Sequence, residues 1–273
     1  RLALLVVFAL GFLRLTPAIG QVALLPLYQY NRSTTPYTEI TGGVVLGTTA
    51  SDDQVFIDPA APLGGFSGAT GVGIPMGFDF VLNGVTYDRI AINNNGWIAL
   101  GSSTLTPSVN TAGPSYTPLS STSAITPAAL AAKIAGFGVD LQGQAGPAGS
   151  PADSSTLRVE TIGTAPNRVC VVQWKNYRPY NATGTNLNFQ IRMEEGTNRV
   201  VFHYGTMSAG TGSYSGMVGL RAEPAATATN YISLTTSTTW ASPSISTAAS
   251  QSMTLSSAVL PASGSSYSFS PPA

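Results

Sequence analysis

One cysteine and one histidine are the whole stock of thiol and imidazole in this chain of 273 residues. A lone cysteine forms no intramolecular disulfide and makes no zinc site of the paired-cysteine kind. Cys170 stands among Val169, Val171 and Val172, a setting that predicts a small buried hydrophobe rather than a reactive thiol, which needs nearby positive charge and exposure. A Ser-His-Asp triad or a two-histidine metal site would have to be built on His203. Strand alternation puts His203 on the polar face beside Arg199 and Val201, so it is expected as an exposed strand histidine.

Charge is scarce as well. Charged side chains are 9% of the chain, against about 25% in an average soluble domain, and Ser, Thr, Ala and Gly fill the difference. Twelve basic and twelve acidic residues cancel. This removes the basic footprint that a phosphate backbone demands, and nucleic acid is not expected as a partner. The acids do not pair into a hydrolytic set: Glu194 and Glu195 are adjacent at a turn and face differently, while Glu160 and Asp140 stand apart without a supporting motif. No enzyme is expected.

Long apolar runs are also missing. The apolar run 2–13 follows Arg1 and is shorter than the roughly 20 residues a spanning helix needs. With small residues Ala18 and Gly20 at the −3 and −1 positions before Gln21, residues 1–20 read as a secretory signal peptide. The competing readings are an uncleaved membrane anchor or a hydrophobic first strand. Residues 21–273 are expected as a single β-sandwich domain, secreted or held at the cell surface, with no stable membrane span after signal cleavage.

What the chain does contain is alternation. Leu187, Phe189, Ile191 and Met193 point one way, and Asn188, Gln190, Arg192 and Glu194 the other, the period of two of a half-buried strand. Glu195, Gly196, Thr197 and Asn198 form a turn, and Val200, Phe202 and Tyr204 return on the covered face. A second hairpin runs from Phe78, Phe80 and Leu82 through an Asn83-Gly84 turn to Val85, Tyr87, Ile90 and Ile92. Asn93 to Gly96 lead into Trp97, Ile98 and Leu100. Further strands are expected at 37–46, with a bulge or turn at Gly42 and Gly43, and at 134–141, 157–162, 168–176, 217–220, 231–234 and 267–269. Residues 48–73, 102–126 and 205–216 read as loops, and Pro127, capped by Thr126, opens one helical turn. About a dozen short strands at turn-bounded spacing predict an all-β fold: a two-sheet antiparallel β-sandwich, jelly-roll-like, with at most one short helix.

Candidate sites lie on loops. Asp52, Asp53 and Asp58, with loop carbonyls, are the acids that would hold calcium, the one cofactor considered, although their spacing matches no EF-hand; solvated loop acids are the simpler reading. Asn93 to Asn95 are explained by side chains bonding their own backbone in a tight turn. Trp97 and Trp174 are expected in the core, while Tyr177, Tyr180 and Tyr214, near loops, are the ligand-binding surface candidates. Asn31 and Asn181 head N-x-Ser/Thr sequons.

Four segments occur in a telling order: FDFVLNGVTYDRIAINNNGWIALG, KIAGFGVDLQG, LRVETIGTAPNRVCVVQWKNY and NLNFQIRMEEGTNRVVFHYG. With the Asn95-Gly96-Trp97 signature and Trp174, this order resembles the N-terminal β modules of bacterial surface or secreted proteins exported by the type IX secretion system, and more distantly the nidogen-like extracellular module. The resemblance covers residues 28–272. It implies an adhesive or structural exterior protein without established catalytic residues. Gly138, Val139 and a single Asp140 stand where such modules often carry an aromatic and paired acids, a departure that weakens transfer of any metal site. The functional expectation is an exported, non-enzymatic β-sandwich that adheres to extracellular matrix or glycan or assembles with copies of itself. The alternative is a carbohydrate-binding or accessory module of a larger secreted hydrolase.

Overall fold

The computed structural model describes residues 24–58, 62–64, 68–120, 125, 127–146, 153–222, 230–235, 239–247 and 253–273. The expected signal peptide and the Thr126 cap lie outside these. Two large antiparallel sheets pack face to face as a sandwich, with a two-stranded ribbon beside them. The first sheet runs in the order Gln29–Thr34, Ser265–Ser270, Val200–Tyr204, Thr185–Glu194, Val169–Pro179, Thr156–Ile162, Val44–Gly47. The second runs Ser244–Ser246, Tyr231–Thr235, Ser213–Arg221, Lys133–Gly138, Trp97–Gly101, Val85–Asn93, Gln54–Phe56, Pro62–Gly64, with Ile74–Leu82 also on Val85–Asn93. There is no α-helix among the described residues, only two 3-10 turns, Leu25–Leu27 and Ala128–Ala131; Pro127 caps the second with no side-chain bond.

Both hairpins form as their sequences require. Thr185–Glu194 pairs with Val200–Tyr204 in the register Ile191 to Phe202 and Met193 to Val200, so the apolar set of each strand faces the core together. At the other hairpin Asn83 and Gly84 both take positive φ, 54° and 78°, which is the turn that matches the right-handed twist of a strand pair. The inner faces meet in a core rich in rings. Trp174 stacks on Phe189 at 4.9 Å, and Tyr204, Trp240 and Tyr267 pack around one another. Cys170 is fully buried there, and burial pushes its thiol up to about 12, so it is inert at neutral pH.

The outer faces are more covered than strand alternation suggests. On the second sheet, residues 105–120 overlie Trp97, Ala99, Ala135, Met217 and Tyr231 to form a second, smaller core. The overlying loop is held by its carbonyls: Trp97 Nε1 donates to Ser115 O at 2.8 Å, and the buried Lys133 Nζ donates to Ala112 O at 2.7 Å while sitting 4.5 Å above the Trp97 ring. On the first sheet, residues 35–41 cross the outer face. The stretch 37–46 is therefore not one strand: it is this crossing segment, a turn with Gly43 at φ 68°, and the edge strand Val44–Gly47. Because of the crossing segment, Asn188, Gln190 and His203 on the supposedly solvated face are 8%, 0% and 7% exposed.

Three loop expectations give way to strands, one of them being 102–126, where Val109–Asn110 pairs with Thr70–Gly71. Residues 205–216 contain Ser208–Ala209 and the start of Ser213–Arg221, which pairs Ser213 to Gly216 with Ser256 to Met253. The 48–73 region holds Gln54–Phe56, Pro62–Gly64 and Thr70–Gly71. Small polar and glycine residues hide these strands because partner strands, not local β propensity, hold them in place.

Candidate functional site

Asparagines 93 to 95 sit in the turn between Val85–Asn93 and Trp97–Gly101, and all three are fully buried. A buried amide must find partners, and these find them on two other chain segments. Asn94 Oδ1 accepts from Gln54 N at 2.9 Å, and its Nδ2 donates to Leu141 O at 2.8 Å. Asn95 Oδ1 accepts from Leu141 N at 2.7 Å, and its Nδ2 donates to Asp53 Oδ1 at 3.1 Å. The expected local bond also exists, Asn95 N to Asn93 Oδ1 at 2.9 Å, but it is the smaller part of the arrangement. Trp174 Nε1 reaches Asn94 O at 3.0 Å across the core. The turn thus ties segments 52–54 and 140–142 to both sheets.

The tie brings acids together. One carboxylate oxygen from each of Asp52, Asp53 and Asp140 lies within 4.8 Å of the others. Asp53 is held at φ 52°, and Tyr116 donates its hydroxyl to Asp53 Oδ1 at 3.2 Å. Like charges at this spacing oppose ionisation. Burial, then Asp53 and Asp52, push the Asp140 carboxyl up to about 6, against a smaller opposing bond from Tyr116. Burial and Asp53 likewise raise Asp52.

Such oxygens suit a hard cation such as calcium. The acid set differs from the one the sequence suggested: Asp58 is not a member, and Asp140 takes its place. Asp140 lies some 90 residues from Asp52 in the chain, and the asparagine turn brings it there together with a backbone bridge between Asp52 and Gln142 and the Gly143 N–H donated to Ser51 O at 2.7 Å.

The raised carboxyl sets a pH dependence. Asp140 binds its proton more tightly folded than unfolded, so its contribution to stability is complete below the ordinary aspartate range near ~4 and is lost as pH rises to about 6. Asp140→Asn is therefore expected to raise the melting temperature by a few degrees at pH 7.5 and to leave it unchanged at pH 4. Scanning calorimetry at the two pH values checks this; an equal shift at both would contradict it.

Residues 27–271 match the nidogen-related (NIDO-related) family. The chain belongs to this family. No curated protein and no solved structure matches it. Membership points to an extracellular β module, and no helix among the described residues is long and apolar enough to cross a membrane.

In this nidogen-related module the other sequence candidates scatter. Tyr177 is a core residue, 0% exposed, because it follows a bulge in Val169–Pro179 that turns its ring inward opposite Leu187. Tyr180 is 51% exposed and lies beside the acids, its N–H donating to Asp140 O at 2.9 Å. Tyr214 is half-buried against the core, opposite Leu255 on another strand pair. The three therefore form no common surface. His203 is not solvent-facing: its Nε2 lies 3.1 Å from Thr35 O and its ring meets Tyr37 edge-on at 5.2 Å. Burial lowers its pKa, and Arg192 adds to that. Trp97 and Trp174 are buried, as expected of core rings, though in different cores.

Proposed function

We propose that this nidogen-related chain is an exported, non-catalytic contact module that joins copies of itself or an extracellular partner through an open edge of its first sheet. The observation that carries this reading is the edge strand Val44–Gly47. Among the described residues it pairs with Thr156–Ile162 on one side only, contains no charged residue, and leaves Val44 40% and Val45 43% exposed. An edge of that kind offers unpaired backbone groups to another strand, and natural proteins that avoid such pairing place lysine or proline there. The opposite edge, Gln29–Thr34, is also open among the described residues.

Export belongs to this reading: the cleaved leader rests on the pattern of residues 1–20, and the type IX route on the resemblance of the four ordered motifs. An accessory carbohydrate-binding module would present an exposed row of coplanar rings. Tyr177 is buried and Tyr214 half-buried, so the large exposed rings among the described residues are Tyr116 and Tyr180, at the acidic end.

Sedimentation velocity over a concentration series tests the edge. The wild-type chain is expected to shift toward dimer or larger species as concentration rises. Val45→Lys, which puts a charge on the edge without touching either core, is expected to sediment as monomer throughout. A strictly monomeric wild type would end the self-association reading.

A further inference from the structure

The outer face of the first sheet carries recognition chemistry away from both the Val44–Gly47 edge and the acids. Segment 35–41 is fastened to this face from below: Gln190 Nε2 donates to Thr38 O at 2.8 Å, and Ile40 N donates to Gln173 Oε1 at 2.9 Å. Along one flank of that segment the sheet is hollowed into a trough of about 310 Å³. This lies at the lower end of the roughly 300–1,000 Å³ typical of small-molecule sites. Its floor comes from Thr185–Glu194, Val200–Tyr204, Ser265–Ser270 and Gln29–Thr34, four neighbouring strands of one rigid sheet.

The lining is polar and of a particular kind. Asn31, Ser33, Ser266 and Ser268 present hydroxyl and amide groups that both donate and accept. Two guanidinium groups enter the trough and differ in what holds them. Arg199 is engaged, donating to both oxygens of Glu194 at 2.9 and 2.7 Å. Arg192 donates to the neutral amide oxygen of Gln190 at 2.8 Å and stands in no ion pair among the described residues. Burial lowers its pKa against smaller opposing pulls from Glu194 and Tyr37, the mark of a cation partly stripped of water.

A guanidinium in this state pairs strongly with a carboxylate. No Phe, Tyr or Trp ring among the described residues lines the trough, so the broad stacking surface that neutral sugars use is missing. Hydroxyl partners on one side and, on the floor, a guanidinium in no ion pair among the described residues complement a ligand that bears both hydroxyls and a carboxylate.

We propose that this trough binds an acidic saccharide, a uronate unit of an extracellular polysaccharide, with its carboxylate on Arg192 and its hydroxyls on the serine and asparagine side. The proposal rests on the reading of the chain as a contact module but uses a different surface from the edge strand Val44–Gly47 that carries that reading. The two readings therefore fail separately: loss of saccharide binding with self-association intact removes only the trough assignment.

Isothermal titration of the purified chain at low salt with tetragalacturonate, its methyl ester, maltotetraose and tetraglutamate tests it. Tetragalacturonate is expected to bind saturably and about tenfold or more tighter than the other three. Arg192→Gln is expected to erase that preference. Ser33→Trp fills the trough from an exposed strand position, and is expected to abolish binding with the melting temperature unchanged, so the outcome stands even if the arginine variant folds poorly. Absence of saturable binding, equal binding of the methyl ester, equal binding of tetraglutamate, or wild-type affinity in Ser33→Trp would each overturn the assignment.

Discussion

Gly96→Ala is expected to lower the melting temperature of the domain by about 10 °C or more. Gly96 has φ 85°, and a Cβ there would lie 2.1 Å from Phe137 O and 2.8 Å from Phe137 C. Neither atom is the free end of a side chain. Both belong to the backbone of Lys133–Gly138, whose Gly136 N–H donates to Gly96 O at 3.0 Å. The positive φ costs a non-glycine residue about 1–3 kcal/mol, and forcing the two backbones apart adds a penalty of similar size. Together these come to about 3–5 kcal/mol, and roughly 2–4 °C per kcal/mol in a domain of this size gives the shift. Thermal unfolding by circular dichroism checks it; a change under about 2 °C would mean the two segments are not in contact.

Asn95→Ala is expected to cost nearly as much and for a different reason. The side chain is fully buried and serves Leu141 N and Asp53 Oδ1. Truncation leaves an amide N–H without its partner and a carboxylate without its nearest donor, each costing about 1–3 kcal/mol, and adds a small cavity. The loss is expected to be about 3–5 kcal/mol in denaturant unfolding, well above the ~0.5 kcal/mol of an ordinary surface substitution. Asn95 also positions Asp53 among the acids, so the variant should change the pH profile of stability between pH 4 and about 6, where Asp140 titrates. A turn asparagine that bonded only its own backbone would produce neither result.

These two residues also mark where sequence reading succeeds and where it stops. The Asn-Gly-Trp run was legible as a turn leading into a buried strand, because glycine and asparagine tolerate left-handed backbone and tryptophan seeks a core. The hairpins at Asn83-Gly84 and at Glu195 to Asn198 were legible for the same local reasons, and with them the all-β sandwich. What the residues did not announce was long-range covering. Nothing about the polar pattern of Gln190 and His203 says that segment 35–41 will lie across them, some 150 or more residues away in sequence. Strand alternation distinguishes two faces but not whether a face is wet. Tyr177 failed similarly, since a bulge between Trp174 and Tyr177 shifts the alternation and turns a loop-proximal ring into the core.

The acid cluster shows the same boundary. Asp52 and Asp53 were visible as loop acids, but Asp58 was grouped with them by nearness in sequence. Asp140, inside the expected strand 134–141, stood apart from them without a supporting motif. The signal that joins Asp140 to the other two is the buried asparagine pair, which bonds to both neighbourhoods at once. Three consecutive asparagines at the mouth of an apolar strand exceed what one tight turn needs, and that surplus is the trace a sequence reader had available.

Hydrogen exchange of the edge strands tests the account most directly, because a contact module that pairs through its first sheet must protect amides that the isolated chain leaves to water. The peptide covering Val44–Gly47 is expected to exchange more slowly when protein concentration is raised about a hundredfold, while interior strands such as Val169–Pro179 are unchanged. Val45→Lys should abolish the difference. Identical exchange of the edge at both concentrations, with and without extracellular matrix material, would contradict the claim that this chain works through its open edge.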